Sequence, residues 1–352
     1  MSELVFVVPA GIDDVKRPSG GNRYDQRVRD GLRPRGWQVR MMACGGTWPE
    51  PDEEARDTLA GRLAGLAAGT VVLIDGLIAS CVPDVLASQA ARLRIVVLLH
   101  MPLGVPPVAG DAAMVAARER RALACARWVI ATSDWTRHWA CTQGGVAPEH
   151  VVVALPGVDP APQVAVGRDG TRLLCLAAVT ALKGHDVLLD ALATLRDVPW
   201  RLACVGSMDT APDFAQAMQQ RATAQGMAGR VAWHGALHGS ALGHAWAGSD
   251  LLVLPSRKES YGMVVTEALA HGVPVIASNV GGVSEALGQT ADGRRPGELV
   301  PAGEATALAD ALRGWFADPA LRRRWQEAAR VRRATLQRWD TTVAQIEQAL
   351  LA

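Results

Sequence analysis

The sequence predicts an α/β protein built from two doubly wound domains, and three observations carry that prediction. Apolar runs of strand length, such as Leu4–Val8, Ile95–Leu99 and Leu251–Leu254, alternate with longer amphipathic segments. This is the pattern of buried parallel strands separated by helices. The alternation starts afresh after a Pro- and Ala-rich stretch near the middle of the chain, and 352 residues leave room for two domains of ordinary size.

Composition narrows the class. With 49% hydrophobic and 20% charged residues, the chain has the make-up of a globular protein rather than a disordered one. A net charge of +1 gives no reason to expect a nucleic-acid partner. Cys44, Cys81, Cys125, Cys141, Cys175 and Cys204 are scattered, without a C-x-x-C pair, and most fall inside apolar runs. They read as small reduced core residues, not as a disulfide framework or a zinc site. No apolar stretch reaches the length of a membrane span, and Met1–Pro9 reads as a strand lacking the basic lead-in of a signal peptide. The expectation is a soluble cytoplasmic protein.

The first domain is read over residues 1–160. Strand Leu4–Val8 leads, through Gly20-Gly21, into a helix over Asn22–Pro34 and a second strand over Trp37–Ala43. That order is a mononucleotide-binding arrangement, but the glycines are a pair and not G-x-G-x-x-G, so a dinucleotide is not indicated. A tight turn would account for two glycines equally well. Glu50–Gly69 reads as helix, and Val71–Ile74 and Ile95–Leu99 as strands. His100 closes the latter at its carboxyl end, before a loop stiffened by Pro102, Pro106 and Pro107. A histidine there is either structural or part of a site. Helix Asp111–Ala126, strand Trp128–Thr132, helix Ser133–Gln143 and strand Val151–Leu155 complete the half, which ends at the Pro156–Asp159 turn; residues 161–170 read as the linker.

The second domain is read over 171–335. Strands are expected at Arg172–Ala178, Trp200–Val205, Val231–His234, Leu251–Leu254 and Pro274–Ala277, with helices at His185–Arg196, Ala211–Gln225, Ser240–Ala247 and Gly262–His271. Lys183-Gly184 stands at the mouth of the first of these helices, where an ammonium would hold a phosphate. The stretch Leu251–Glu285 is the most informative. Glu259 lies in the loop at a strand's carboxyl end and Glu267 within the following helix, while Gly272 and Pro274 supply the helix stop. That strand edge is where ligands bind in open α/β sheets. Gly262 would let backbone approach a ligand, and the first helical amides would face an anion. A diphosphate resting there would have Glu259 accepting from hydroxyls on one side and Glu267 on the other, the layout of a nucleotide-sugar. The bland alternative is an ordinary βαβ unit with two incidental glutamates. Gly281-Gly282 with Ser284 and Glu285 form another glycine loop at a helix start. From Ala305 the chain reads as helical and arginine-rich, with Arg322, Arg323, Arg324, Arg330, Arg332, Arg333 and Arg338 around Trp325 and Trp339. A solvated helix with buried rings is favoured there over peripheral membrane contact.

The Leu251–Glu285 string closely resembles the E-x7-E donor motif of the retaining glycosyltransferases of family 4, which have the GT-B fold. Ser260 and Tyr261 stand where that family usually has Gly-Phe. Gly20-Gly21, Arg35-Gly36 with Val39, His100, Lys183-Gly184 and Gly281–Glu285 are similar to further family motifs. The likeness extends over essentially the whole chain, strongest over Asp250–Glu285 and weakest over Thr47–Ala90. It implies two domains facing a cleft, with residues 336–352 forming a helix that returns to the first domain. It implies transfer of a hexose from a UDP- or GDP-sugar to a hydroxyl acceptor (small molecule, glycan or lipid), by front-face displacement with retention. Catalytic roles would fall to Glu259 at the sugar, Lys183 at the phosphate and His100 at the sugar, with Glu267 on the ribose. Gly20, Gly21, Ser260, Tyr261, Gly262, Met263 and Val264 would complete the donor site. The family's arginine before this lysine is missing, since Ala178–Leu182 contains none; Arg257, Lys258 and Arg23 are the candidates to replace it. With no D-x-D in the sequence, neither a metal nor another cofactor is expected. A catalytically inactive nucleotide-sugar-binding protein and a GT-B epimerase are the alternatives, and the protein is expected as a monomer or homodimer.

Overall fold

The computed structural model describes residues 2–16, 18–106, 111–164, 167 and 169–352. Met1, Pro107 and positions 165, 166 and 168 of the expected linker lie outside the described residues. The chain forms two compact units. Met1–Asp13, Gly21–Gly157 and Gln337–Ala352 make the first, and Asp14–Gly20 with Val158–Leu336 make the second.

Six strands form the sheet of the first unit: β1 (Ser2–Pro9), β2 (Trp37–Cys44), β3 (Val71–Asp75), β4 (Arg94–Leu99), β5 (Trp128–Ala131) and β6 (Val151–Val153). All pair in parallel, in the order β2-β1-β3-β4-β5-β6. Helices cover both faces, so the strands run almost wholly apolar, as in Leu4–Val8 and Ile95–Leu99, which are buried throughout. Val5, Val7, Val72, Ile74, Val97 and Val129 share one core. The strand order reverses at β1, which lies between β2 and β3, and the carboxyl ends beside such a reversal are where a doubly wound sheet offers a site.

The second sheet repeats the plan with β7 (Arg172–Leu176), β8 (Arg201–Val205), β9 (Val231–Trp233), β10 (Leu251–Leu254), β11 (Val275–Ser278) and β12 (Gly297–Val300). Its order is β12-β11-β10-β7-β8-β9, again parallel. Here the reversal makes β7 and β10 neighbours, although more than seventy residues separate them in sequence. Trp200 and Trp315 are fully buried in this unit's core.

Several elements depart from the sequence reading. Gly20 and Gly21, expected in a loop, are the first two residues of helix Gly20–Leu32; glycine is tolerated in a first turn, where little helical hydrogen bonding is at stake. Helices Gly76–Ala79 and Pro83–Gln89 and strand β12 were not legible. The first two are too short to show a helical period, and they are set by local chemistry: Asp75 caps Leu77 N at 2.7 Å, and Pro83 opens its helix. β12 is four residues at a sheet edge, with Glu298 among them. The linker reading also changes, because Val164 N donates to His271 O and Gly167 N to Asp250 Oδ1. That segment is fastened to its own unit at both places.

The last helix, Trp339–Leu351, belongs to the first unit. Glu347 accepts from Arg35 at 2.8 Å and from Trp37 Nε1 at 2.9 Å, and Thr342 Oγ1 donates to Leu155 O at 2.6 Å. The arginine-rich helix Pro319–Arg333 turns Trp325 inward to stack on Trp315, with centroids 5.7 Å apart. Arg322, counted above with the basic face, is buried and donates to the carbonyls of Trp315 and Phe316. Cys44, Cys81, Cys175 and Cys204 are buried and reduced, and Cys125 and Cys141 half-buried. Among the described residues no helix is long and apolar enough to cross a membrane.

Candidate active site

The reversal in the second sheet sets two loops side by side, one leaving β7 and the other leaving β10. The β7 loop carries Lys183 and the β10 loop carries Glu259. Lys183 Nζ donates to Glu259 Oε1 at 2.6 Å, and Ser256 Oγ donates to the same oxygen at 2.8 Å. Glu259 keeps 13% of its side chain exposed and Lys183 30%, so the pair is reachable from solvent while held by protein.

Backbone contacts lock the loops together. Arg257 N donates to Leu182 O at 2.8 Å. The Arg257 guanidinium forks onto both oxygens of Asp186, at 2.8 and 2.6 Å, and donates to Ala181 O at 2.7 Å. Burial would raise the Asp186 carboxyl, yet the hydrogen bond and charge of Arg257 hold it below its usual range. Arg257, one of the three cations considered above for the missing arginine, is therefore engaged in bracing the Lys183 loop.

Two glycines make the close approach feasible. Gly184 has φ 70°, and a Cβ there would stand 2.0 Å from Pro255 O; Gly281 has φ 52°, and its Cβ would stand 1.7 Å from Glu259 O. Only a residue without a Cβ fits either place. Gly282 N also donates to Ser260 O at 3.0 Å, so the 281–282 turn supports the Glu259 loop from behind.

Gly262 is the N-cap of helix Met263–Ala270, whose first amides, those of Met263 and Val264, have no acceptor within the helix. Glu267 lies half-buried in that helix. Ser260 is half-buried, whereas Tyr261 is buried with 6% exposure, and burial pushes its phenol up to about 12. Tyr261 thus contributes its backbone to this region, and its ring to the core. Lys183, Glu259, Ser260, Gly262, Met263, Val264 and Glu267 all fall within the second unit.

Gly20 joins them, since it belongs to the second unit and a Cβ on it would stand 3.5 Å from Met263 Sδ, whereas Gly21 and His100 belong to the first unit. Gly20 and Gly21 open helix Gly20–Leu32, and the division between units falls between them. His100 follows β4 in the first unit, where two aspartates that the sequence reading did not single out join it. His100 Nε2 lies 2.8 Å from Oδ1 of Asp25, a residue of helix Gly20–Leu32 with 0% exposure. Asp75 ends β3, and one oxygen each of Asp25 and Asp75 and a ring nitrogen of His100 lie within 4.8 Å of one another. Burial works against a charged ring, but the charge and hydrogen bond of Asp25, and the charge of Asp75, outweigh it and raise His100 to about 9. Burial and the charge of Asp25 push Asp75 up to about 7. Three such atoms are close enough to close on a cation, and Nε2 already bonds to Asp25 Oδ1. The sequence signal for Asp25 was an acid on the buried stripe of its helix, with Tyr24, Val28 and Leu32.

Comparison with known proteins bears on the whole arrangement. Residues 18–162 match the family described as Glycosyltransferase Family 4, and residues 162–332 the family described as Glycosyl transferases group 1. The D-inositol 3-phosphate glycosyltransferase of Arthrobacter sp. (strain FB24) is 35% identical over 189 residues, 49% of this chain and 44% of that protein. The protein of the same name from Streptomyces avermitilis is 34% identical over 260 residues, 67% of this chain and 54% of that protein. The chain thus spans about half the length of the curated relatives it matches. Among solved structures, the sucrose-phosphate synthase of Thermosynechococcus elongatus has a TM-score of 0.81 at 21% identity, over 99% of this chain and 98% of that one. Anabaena HepE in complex with UDP and glucose has a TM-score of 0.76 at 19% identity, over the whole of both chains. At these identities the likeness is one of fold.

Proposed function

Because the chain belongs to the family 4 glycosyltransferases, of GT-B fold, we propose that it transfers a hexosyl group from a nucleotide diphospho-sugar to a hydroxyl acceptor, with retention and without a divalent metal. The observation that carries this reading is the Lys183–Glu259 pair at the sheet reversal, beside the start of helix Met263–Ala270. Negative charge grows on the leaving diphosphate in the transition state. Lys183 and the Met263 and Val264 amides are the donors that would meet it, each worth on the order of 2.7–4 kcal/mol of barrier when aimed there. On binding, Lys183 would move from Glu259 to phosphate, leaving the carboxylate to accept from sugar hydroxyls. Glu267 would accept from the ribose. A role at the sugar is proposed for His100. The leaving phosphate itself would help take the acceptor's proton, on the front face, so the protein need supply no nucleophile.

UDP is the first nucleotide to test, since HepE was crystallised with UDP and with UDP-glucose, and D-inositol 3-phosphate is the first acceptor, from the name of the relatives. The test is calorimetric titration with UDP and GDP, then product analysis with UDP- and GDP-hexoses, with and without EDTA, reading the anomeric configuration by NMR. Transfer with retention that survives EDTA is expected. Tight nucleotide binding without turnover on any acceptor would instead favour a non-catalytic binding protein, the reading that the missing arginine at 178–182 leaves standing. Sugar epimerisation without transfer would favour the epimerase.

A further inference from the structure

Asp25 presents a puzzle that the transfer reaction does not explain. Its carboxylate is wholly buried; Oδ1 is bound to His100, but Oδ2 has no hydrogen-bond partner. A buried carboxylate oxygen left bare is costly. The near neighbour is another acid, Asp75, whose Oδ1 accepts from Leu77 N. Two carboxylates at this range cannot both stay charged without penalty, and neither can donate to the other unless one carries a proton.

A proton on Asp75 resolves both problems at once. We propose that Asp75 is held as the neutral acid and donates its O–H to Asp25 Oδ2, while Asp25 stays ionised and accepts the Nε2–H of His100, making Asp25 and Asp75 positioning residues that fix His100 as a cation with Nδ1 left for the substrate. Three elements meet here: helix Gly20–Leu32, the end of β3 and the end of β4. The groups that bear on the charge of the ring are Asp25 and Asp75. Tyr24, the titratable group packed edge-on against the imidazole with centroids 5.2 Å apart, donates its hydroxyl to Ala154 O, and burial keeps the phenol neutral. The backbone is pinned too, since Thr132 Oγ1 donates to His100 O at 3.2 Å. The shift of Asp75 to about 7 and of His100 to about 9 agrees with this distribution of protons.

The inference rests on the proposed role of His100 at the sugar, so the experiment reads the protons separately from the activity. The full chain is labelled with 15N-histidine, the His100 signals are assigned with His100→Gln, and tautomer and titration are followed by NMR from pH 5 to 10 in native protein, Asp25→Asn and Asp75→Asn. In Asp75→Asn the side-chain amide still donates to Asp25, so His100 should keep its Nε2–H bond and its high titration point. Transfer should fall by less than about tenfold, and the decline expected in native protein as Asp75 loses its proton near pH 7 should be absent. In Asp25→Asn the imidazole loses its counter-charge; its titration should drop below pH 7 and transfer should fall by about a hundredfold. Asp75→Leu, which cannot donate, leaves Asp25 Oδ2 bare but keeps the counter-charge, so His100 should still titrate high while transfer falls well below that of Asp75→Asn; it serves as the second reading should Asp25→Asn fold poorly. The proposal is overturned if His100 titrates alike in native protein and Asp25→Asn, or if Asp75→Asn is as damaging as Asp75→Leu. If the NMR behaves as described but no nucleotide-sugar is turned over, the proton arrangement stands and the transfer reading fails.

Discussion

Lys183 Nζ lies 2.6 Å from Glu259 Oε1, so before substrate arrives each of these groups is the other's counter-charge. A substitution at either one therefore also changes the resting state of its partner. Lys183→Met should raise the activation barrier by about 2.7–4 kcal/mol, a rate loss of roughly a hundredfold to a thousandfold. It should also weaken nucleotide binding, because the phosphate loses a cation. Steady-state kinetics and titration with the nucleotide check both effects.

Glu259→Ala and Glu267→Ala should separate. The first should abolish transfer without weakening the nucleotide, because this carboxylate is assigned to the sugar and its loss only frees Lys183 for the phosphate. The second should weaken the nucleotide itself, by about tenfold if one hydrogen bond to a charged group is lost. Calorimetry with the free nucleotide distinguishes them, and identical behaviour would refute the division of roles.

The Glu259 loop was largely legible in the sequence because its parts are local. Glu259, Gly262, Glu267 and the Gly272 stop belong to one strand–loop–helix unit, where spacing alone fixes which residue caps, which turns and which faces the strand edge. The partnership with Lys183 was not legible from spacing, since it depends on β7 and β10 being neighbours. Strand order is set by how helices pack on the two faces, and no short pattern records it. The same holds for Asp25, Asp75 and His100, which come from three elements. His100 announced itself by ending an apolar run. Asp25 was hidden inside a helix, where an acid on the buried stripe looks like an imperfection of the amphipathic pattern.

Gly281→Ala tests whether the turn behind Glu259 matters. The new Cβ would stand 1.7 Å from Glu259 O at a φ of 52°, so the Glu259 loop must move. The strained backbone conformation alone costs on the order of 1–3 kcal/mol. Gly226→Ala is the control, with φ 70° but nothing within 4 Å of the added carbon. Both should lower the melting temperature; transfer should collapse in Gly281→Ala and stay close to native in Gly226→Ala.

Stability should fall as pH rises from about 7 to about 9; below that the Asp75 contribution is opposed by buried His185, lowered from 6.5 to about 4, which adds stability as pH rises. Asp75 is raised from its ordinary 3.8 to about 7, and His100 from 6.5 to about 9. At both groups the folded protein therefore binds more protons than the unfolded chain, and each contribution declines with pH. The His100 contribution is complete below pH 6.5 and is lost as pH passes through 9; the Asp75 contribution is lost between about 4 and 7. Urea unfolding at pH 7, 8 and 9 should show this slope, and His100→Gln should flatten it. His100→Ala should destabilise the first unit by about 3–5 kcal/mol at neutral pH, since it strands the buried Asp25 charge. Adding Asp25→Asn should restore part of the loss.

The placement of helix Trp339–Leu351 against β5 and β6 has a bearing on biosynthesis. The half that leaves the ribosome first is finished by residues made only after the whole of the second unit. Until then Leu155 O waits for Thr342, and Trp37 Nε1 for Glu347. A chain interrupted before residue 337 would carry a folded second unit and an uncovered first one, so quality-control proteases should find such products by their open first sheet.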